Sequence, residues 1–223
     1  MRLPHPIEAI IFDLDGTLVQ TEPVHCEAWL QVLGRRGYSY DEEWFSQWIG
    51  TADRFLAQSV IEEHHLPIPA RVLQKEKEVL FHKLVVQKNQ AFPGIEEGLQ
   101  ELHGVLPLAI ATNSARRDTH FVFQSTPIAT YMKAILTADD VQELKPAPEM
   151  YLSAARQLGV KPECCLVMED SPAGSLAARR AGMYVLGLTS SQPKNKMTTA
   201  DEWWENPQAG IRRLLEIVKA PNQ

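Results

Sequence analysis

The chain has 223 residues, 44% of them apolar and 22% charged, which suits one α/β domain or a core domain carrying a smaller insertion. Its formal net charge of −6 argues against broad attraction to nucleic acid or to an anionic membrane. No apolar run approaches the ~20 residues of a membrane span. The first six residues also lack the apolar stretch of a signal peptide. The three cysteines, Cys26, Cys164 and Cys165, form a poor disulfide framework. A cytoplasmic protein is expected, with no nucleic-acid or membrane partner, as a monomer or weak homodimer.

The first predicted element is a strand over Ile7 to Asp13, a near-continuous apolar run of the kind a parallel sheet buries on both faces. Four helical patterns follow without a convincing strand between them: Pro23 to Leu33, Asp41 to Trp48, Arg54 to His64 and Ala70 to Val86. Residues 17–88 are therefore expected to form a helical cap domain inserted into a core made of residues 1–16 and 89–223. An insertion after the first strand is expected over the carboxyl edge of the sheet, where such folds bind ligands.

After the insertion, strands and helices alternate. Leu106 to Thr112 and Cys164 to Met168 are strong strand candidates, and Ala134 to Ala138 and Met183 to Leu188 weaker ones. Helices are predicted over Gly94 to His103, Pro148 to Leu158, Pro172 to Ala181 and Pro207 to Lys219, with Gly159 and Gly182 as stops. This alternation predicts an α/β fold with a doubly wound parallel sheet. Trp203 and Trp204 read as surface packing or a subunit contact. The Cys164–Cys165 pair reads as core, and His64-His65 lacks partners for a metal site.

Chemistry concentrates at the predicted strand ends. Asp13-Leu14-Asp15-Gly16-Thr17 leaves the first strand with two acids two residues apart. Such a pair repels unless a proton or cation intervenes, and a hard divalent ion such as magnesium suits oxygen ligands. Taken alone, the motif also fits a turn of solvated acids. Glu169-Asp170 leaves a second strand and would reach the same edge of a parallel sheet. Lys145 precedes Pro146-Ala147-Pro148, and its ammonium could neutralise a phosphate held near those acids. Thr112-Asn113-Ser114 offers hydroxyls, an amide and backbone N–H groups at a helix start, which suits a phosphate and equally an ordinary helix cap.

These pieces, in this order, resemble the haloacid dehalogenase superfamily, in its branch similar to β-phosphoglucomutase. The matching segments are FDLDGTL at 12–18, ATNS at 111–114, KPAPEMY at 145–151 and MEDSPAGSLAARRAGM at 168–183. The resemblance runs from Ile7 to about Leu188 and implies a Rossmann-like core with a small helical cap. It implies Asp13 as the nucleophile that forms an aspartyl-phosphate and Asp15 as the general acid and base. It further implies magnesium held by Asp13, Asp15 through its carbonyl, Glu169 and Asp170, and a phosphoryl group bound by Thr112 and Lys145. Asn113, Ser114 and Arg116 fall on neighbouring substrate-binding positions. In the cap, the resemblance implies substrate-side roles for three residues. His25 lies in a stretch similar to the branch's first cap helix, where histidine helps couple acid–base action to closure. Lys77 falls at a cap lysine position, and Arg54 comes one residue after the position of the mutase's arginine.

Asp53 and Ala115 stand where the mutase has arginine and lysine. The expected activity is accordingly a magnesium-dependent phosphatase of a small phosphorylated metabolite, such as a sugar phosphate. A phosphomutase is the alternative, and a non-catalytic phosphate-binding module is a further one.

Overall fold

The computed structural model describes residues 5–48, 53–88 and 90–220. The chain divides into two compact units, one of Met1–Gln20 with Gln90–Gln223 and the other of Thr21–Asn89. Residues 17–20 fall in the first unit for a clear reason. Leu18 and Val19 are fully buried, and Val19 bridges to both Asp15 and Ala91. The Phe92 N–H also donates to the Leu18 carbonyl at 3.1 Å.

The first unit is built on a six-stranded parallel sheet. Its strands are β1 (Ala9–Phe12), β2 (Leu108–Ala111), β3 (Ala134–Leu136), β4 (Cys165–Glu169), β5 (Tyr184–Leu188) and β6 (Glu202–Trp204). Their order across the sheet is β3-β2-β1-β4-β5-β6, and every pairing is parallel. The order reverses at β1 and β4, so the crevice beyond their carboxyl ends is the natural ligand site of such a sheet. All residues of β1, β2, β4 and β5 are buried, which accounts for their apolar runs.

Alternate strand residues face opposite layers. Ile11, Ala109, Val167 and Val185 join a core cluster with α7 (Glu149–Leu158) and α8 (Pro172–Arg180). Helix α7 presents Met150, Tyr151, Ala154, Ala155 and Leu158 as one stripe. Each large side chain so buried contributes roughly 1.5–3 kcal/mol. On the other layer α9 (Pro207–Lys219) approaches so closely that a Cβ on Gly210 would lie 2.8 Å from Met168 Sδ.

Residues 202–204 form a strand that no apolar run marks in the sequence. Trp203 and Trp204 belong to β6, a half-buried edge strand paired with β5. The Trp203 ring packs against the core cluster, and its Nε1 donates to the Met197 carbonyl at 2.8 Å. Two flanking acids and a three-residue length hide this strand from an apolar-run search.

The second unit is helical: α1 (Glu22–Gly34), α2 (Glu42–Ser46), α3 (Asp53–His64) and α4 (Ala70–Lys88). Its core includes Trp29, Val32 and Leu33 of α1, Leu56 and Val60 of α3, and Leu73, Phe81 and Val85 of α4. The first unit also carries α5 (Ile95–His103) and α6 (Arg116–Phe123).

Candidate active site

Strand β1 ends at Phe12, and Asp13 continues it by donating its N–H to the Met168 carbonyl of β4 at 3.0 Å. The chain then turns sharply at Gly16, where φ is 80°, a value that favours glycine. Space imposes the same choice, because a Cβ there would lie 2.2 Å from Asp170 Oδ2. This turn separates the two acids of the motif. Asp13 points toward Lys145, whose Nζ donates to Asp13 Oδ1 at 2.6 Å. Asp15 turns its carboxylate the other way. Its Oδ2 accepts from Ser114 Oγ at 2.6 Å and from Thr112 Oγ1 at 3.3 Å.

Thr112 and Ser114 follow the end of β2. The Ser114 N–H donates to Thr112 Oγ1 at 3.0 Å, and the Thr112 N–H to the Leu136 carbonyl at 2.9 Å. Asn113 has a different task. Its Oδ1 accepts from the Lys145 N–H at 3.0 Å, and its Nδ2 donates to the Lys145 carbonyl at 3.4 Å. Asn113 thus fixes the Lys145 backbone. The Lys145 side chain is then buried, lying over the Tyr151 ring with Nζ 4.9 Å from its centroid.

Strand β4 delivers Glu169 and Asp170. Glu169 is wholly buried and fully engaged. Its Oε1 accepts from Lys145 Nζ at 2.8 Å and from Tyr151 OH at 3.3 Å. Its Oε2 accepts from the Ser171 N–H at 2.6 Å and Ser171 Oγ at 2.9 Å. Gly174 makes room for it, since a Cβ there would lie 1.5 Å from Glu169 Oε1. Asp170 accepts from Thr17 Oγ1 at 3.2 Å through Oδ1 and from Ser191 Oγ through Oδ2.

The electrostatics of this cluster point one way. Burial pushes the Asp13 carboxyl well above the ordinary carboxylate range, and Glu169, Asp170 and Asp15 add to the rise against the opposition of Lys145. Burial and Glu169 push Asp170 up to about 7, although the hydroxyls of Ser191 and Thr17 resist. Burial works against the Lys145 ammonium, but Asp13 and Glu169 outweigh it and hold the lysine well above its usual value. Acids and base are shifted alike, so the cluster is short of positive charge. The donors are carboxylates, hydroxyls and backbone carbonyls, a set that fits a hard divalent cation such as magnesium.

The remaining site residues inferred from sequence divide. In the helical unit His25 and Lys77 come together. Lys77 Nζ lies 2.5 Å from His25 Nδ1 and 2.7 Å from Asp53 Oδ2, and His25 stacks on Phe81. Asp53 also accepts from Trp29 Nε1 at 2.9 Å. Burial would raise the Asp53 carboxyl, but Lys77 and His25 hold it below its usual value. Arg54, one residue on, is exposed and packs over Phe55. The preceding Gly50-Thr51-Ala52 lie outside the described residues. Arg116 opens α6 with its N–H donating to Asp139 Oδ2 at 2.6 Å and its guanidinium paired with Asp140.

Four residues join the cluster without having been singled out for it: Thr17, Tyr151, Ser171 and Ser191. The first three sit inside the quoted motifs. Ser191 has no such signal, because its loop follows β5 and meets Asp170 only through the sheet.

Residues 10–188 match the profile of the haloacid dehalogenase-like hydrolases. The chain is similar to fructose-1-phosphate phosphatase YqaB of Escherichia coli (strain K12). The two are 33% identical over 174 residues, which cover 78% of this chain and 92% of that protein. It is also similar to the phosphorylated carbohydrates phosphatase of Thermotoga maritima, at 31% identity over 79% of this chain and 82% of the relative. Among solved structures, a provisionally named β-phosphoglucomutase of Thermotoga maritima superposes with a TM-score of 0.83. It shares 27% identity over 94% of this chain and 99% of that one.

Proposed function

We propose, starting from the fact that this chain belongs to the haloacid dehalogenase-like hydrolase family, that it is a magnesium-dependent phosphatase of small phosphorylated metabolites, sugar phosphates among them. The observation that carries the reading is the meeting of Asp13, Asp15, Lys145, Glu169 and Asp170 at the carboxyl ends of β1 and β4.

In this reading Asp13 attacks the phosphorus through a carboxylate oxygen. The P–O bond to the alcohol breaks, and an aspartyl-phosphate forms. Asp15 protonates the departing oxygen, then takes a proton from the water that cleaves the acyl phosphate. The separation of the two carboxylates by the turn at Gly16 supports this division of labour. Lys145 holds the phosphoryl oxygens and compensates Asp13 and Glu169. Thr112 and Ser114 orient Asp15 and are available to a phosphoryl group, while Asn113 fixes Lys145. Magnesium, held by Asp13, Asp170, the Asp15 carbonyl and support from Glu169, would supply positive charge to the transferring phosphoryl group.

The named substrates of the relatives favour a sugar phosphate or another phosphorylated carbohydrate. The likeness to a provisionally named β-phosphoglucomutase keeps phosphomutase as the second reading, because a sugar hydroxyl can replace water as acceptor. The test is release of inorganic phosphate from p-nitrophenyl phosphate and from a panel of sugar monophosphates, with magnesium and with excess chelator. Magnesium-dependent release is expected. Equal release in chelator would remove the metal from the reading, and no release from any ester would remove the phosphatase.

A further inference from the structure

Ser191 stands apart from every motif, yet its hydroxyl donates to Asp170 Oδ2. The other carboxylate oxygen, Oδ1, accepts from Thr17 Oγ1 at 3.2 Å. Asp170 is therefore gripped at both oxygens by hydroxyls from two different strand ends, Thr17 beyond β1 and Ser191 beyond β5. Gly16 closes the third side, where a Cβ would lie 2.2 Å from Asp170 Oδ2 and 3.0 Å from Ser191 Oγ.

The loop that carries Ser191 is itself anchored. At its start the Thr189 N–H donates to the Trp204 carbonyl at 2.9 Å. Further along, Met197 is fully buried, and Thr199 Oγ1 lies 2.7 Å from Ser175 Oγ on α8. The Lys196 N–H and Met197 N–H close turns onto the Pro193 and Lys194 carbonyls. A loop pinned to β6 and α8 can hold a hydroxyl in place, whereas a free loop could not.

We infer that Ser191 is a positioning residue for the cation, fixing the rotamer of Asp170 so that its carboxylate is presented to magnesium before the metal arrives. This inference rests on the magnesium reading above. The physical basis is general: a carboxylate ligand with both oxygens hydrogen-bonded keeps one orientation, and each oxygen retains a lone pair for a metal. Losing such a supporting bond typically weakens metal affinity or activity by about 10- to 100-fold. Thr17 shares the role from the other side, but it lies within the β1 turn and its removal would disturb that turn as well. Ser191 is the cleaner probe, being partly exposed and outside the motifs.

The experiment is a magnesium titration of the metal-free full chain, read by thermal shift and by calorimetry, for wild type, Ser191→Ala, Ser191→Thr and the neighbouring control Gln192→Ala. Ser191→Ala is expected to raise the magnesium concentration at half-saturation about tenfold. Ser191→Thr should restore it, and Gln192→Ala should match wild type. Should the alanine variant not fold, Ser191→Val against Ser191→Thr makes the same comparison. If wild type responds to magnesium and the hydroxyl-free variant has the same midpoint, the positioning role is overturned while the magnesium reading survives. If wild type itself ignores magnesium, the reading beneath it is overturned too.

Discussion

Lys145 Nζ lies 2.6 Å from Asp13 Oδ1, in a pair whose two side chains are both more than nine-tenths buried. The ammonium is shared, since Glu169 Oε1 is 2.8 Å from the same nitrogen. One lysine thus compensates the acid proposed as nucleophile and the acid beneath it. The arrangement leaves the cluster needing further positive charge, and a substrate phosphate cannot approach comfortably without it.

Asp13→Asn should abolish turnover and keep the fold. The amide has the shape of the carboxylate but cannot attack phosphorus. Loss of a nucleophile in other covalent enzymes costs on the order of 10⁶-fold in kcat, so a residual rate under about 10⁻⁴ of wild type is expected. Circular dichroism should be unchanged, because Glu169 still compensates Lys145. Near-normal hydrolysis of p-nitrophenyl phosphate by a folded Asp13→Asn protein would sink the covalent mechanism.

Lys145→Met should lower both activity and stability. The thioether fills much of the lysine volume, but Asp13 and Glu169 lose their shared counter-charge in a buried place. Breaking one side of a buried ion pair costs roughly 3–5 kcal/mol. Equilibrium denaturation in chelator at neutral pH should read a loss of that size. A stability within about 0.5 kcal/mol of wild type would show that the acids are protonated rather than paired.

Much of this site was legible in the sequence, and the reason is geometric. Acids that end parallel strands must meet at one edge, so the two apolar runs ending at Asp13 and Asp170 were enough to bring them together. Lys145 depended on the motif rather than on pattern, because a lysine after a loop has no periodicity. Ser191 was not legible at all, since its contact with Asp170 spans 21 residues and exists only once β5 lies beside β4. Strand β6 was hidden for a related reason. Its residues are half-buried with an acid at each flank, and only pairing with β5 makes them a strand.

The metal-free protein should lose stability as pH rises from about 4 to about 7. Asp170 titrates at about 7 in the fold but near ~3.9 in an unfolded chain. Below both values the two states hold the proton alike. Between them only the native state does, so each rise in pH favours the unfolded chain. The contribution is on the order of 4 kcal/mol at full extent, and Asp13 shifts in the same direction. Scans in chelator should therefore give a lower melting temperature at about pH 8 than at about pH 5. Magnesium should narrow the difference, because it stabilises the ionised cluster. A metal-free protein more stable at the higher pH would contradict the charge balance described for this site.

Phosphatase activity should exceed mutase activity on any shared sugar phosphate. A mutase must hold a bisphosphate and turn it round without losing it to water, which calls for cations at the far end of the substrate as well as Lys145 at the near end. Three candidates were suggested by sequence: Lys77, Arg116 and Arg54. Lys77 is buried and paired with Asp53 at 2.7 Å, so its charge is already compensated within the helical unit. The Arg116 guanidinium is paired with Asp140. Arg54 is exposed and lies over the Phe55 ring, and an exposed guanidinium loses much of its pull to solvent and salt. A hydrolase needs less, since water serves as the second acceptor. The measurement is phosphorus NMR of β-glucose-1-phosphate with the corresponding 1,6-bisphosphate and magnesium present. Inorganic phosphate should grow in faster than glucose-6-phosphate. Asp53→Asn should shift the ratio toward the mutase product by releasing the charge of Lys77. Glucose-6-phosphate appearing about tenfold faster than inorganic phosphate in wild type, a difference of ~1.4 kcal/mol between the two barriers, would reverse the ranking and make the enzyme a phosphomutase.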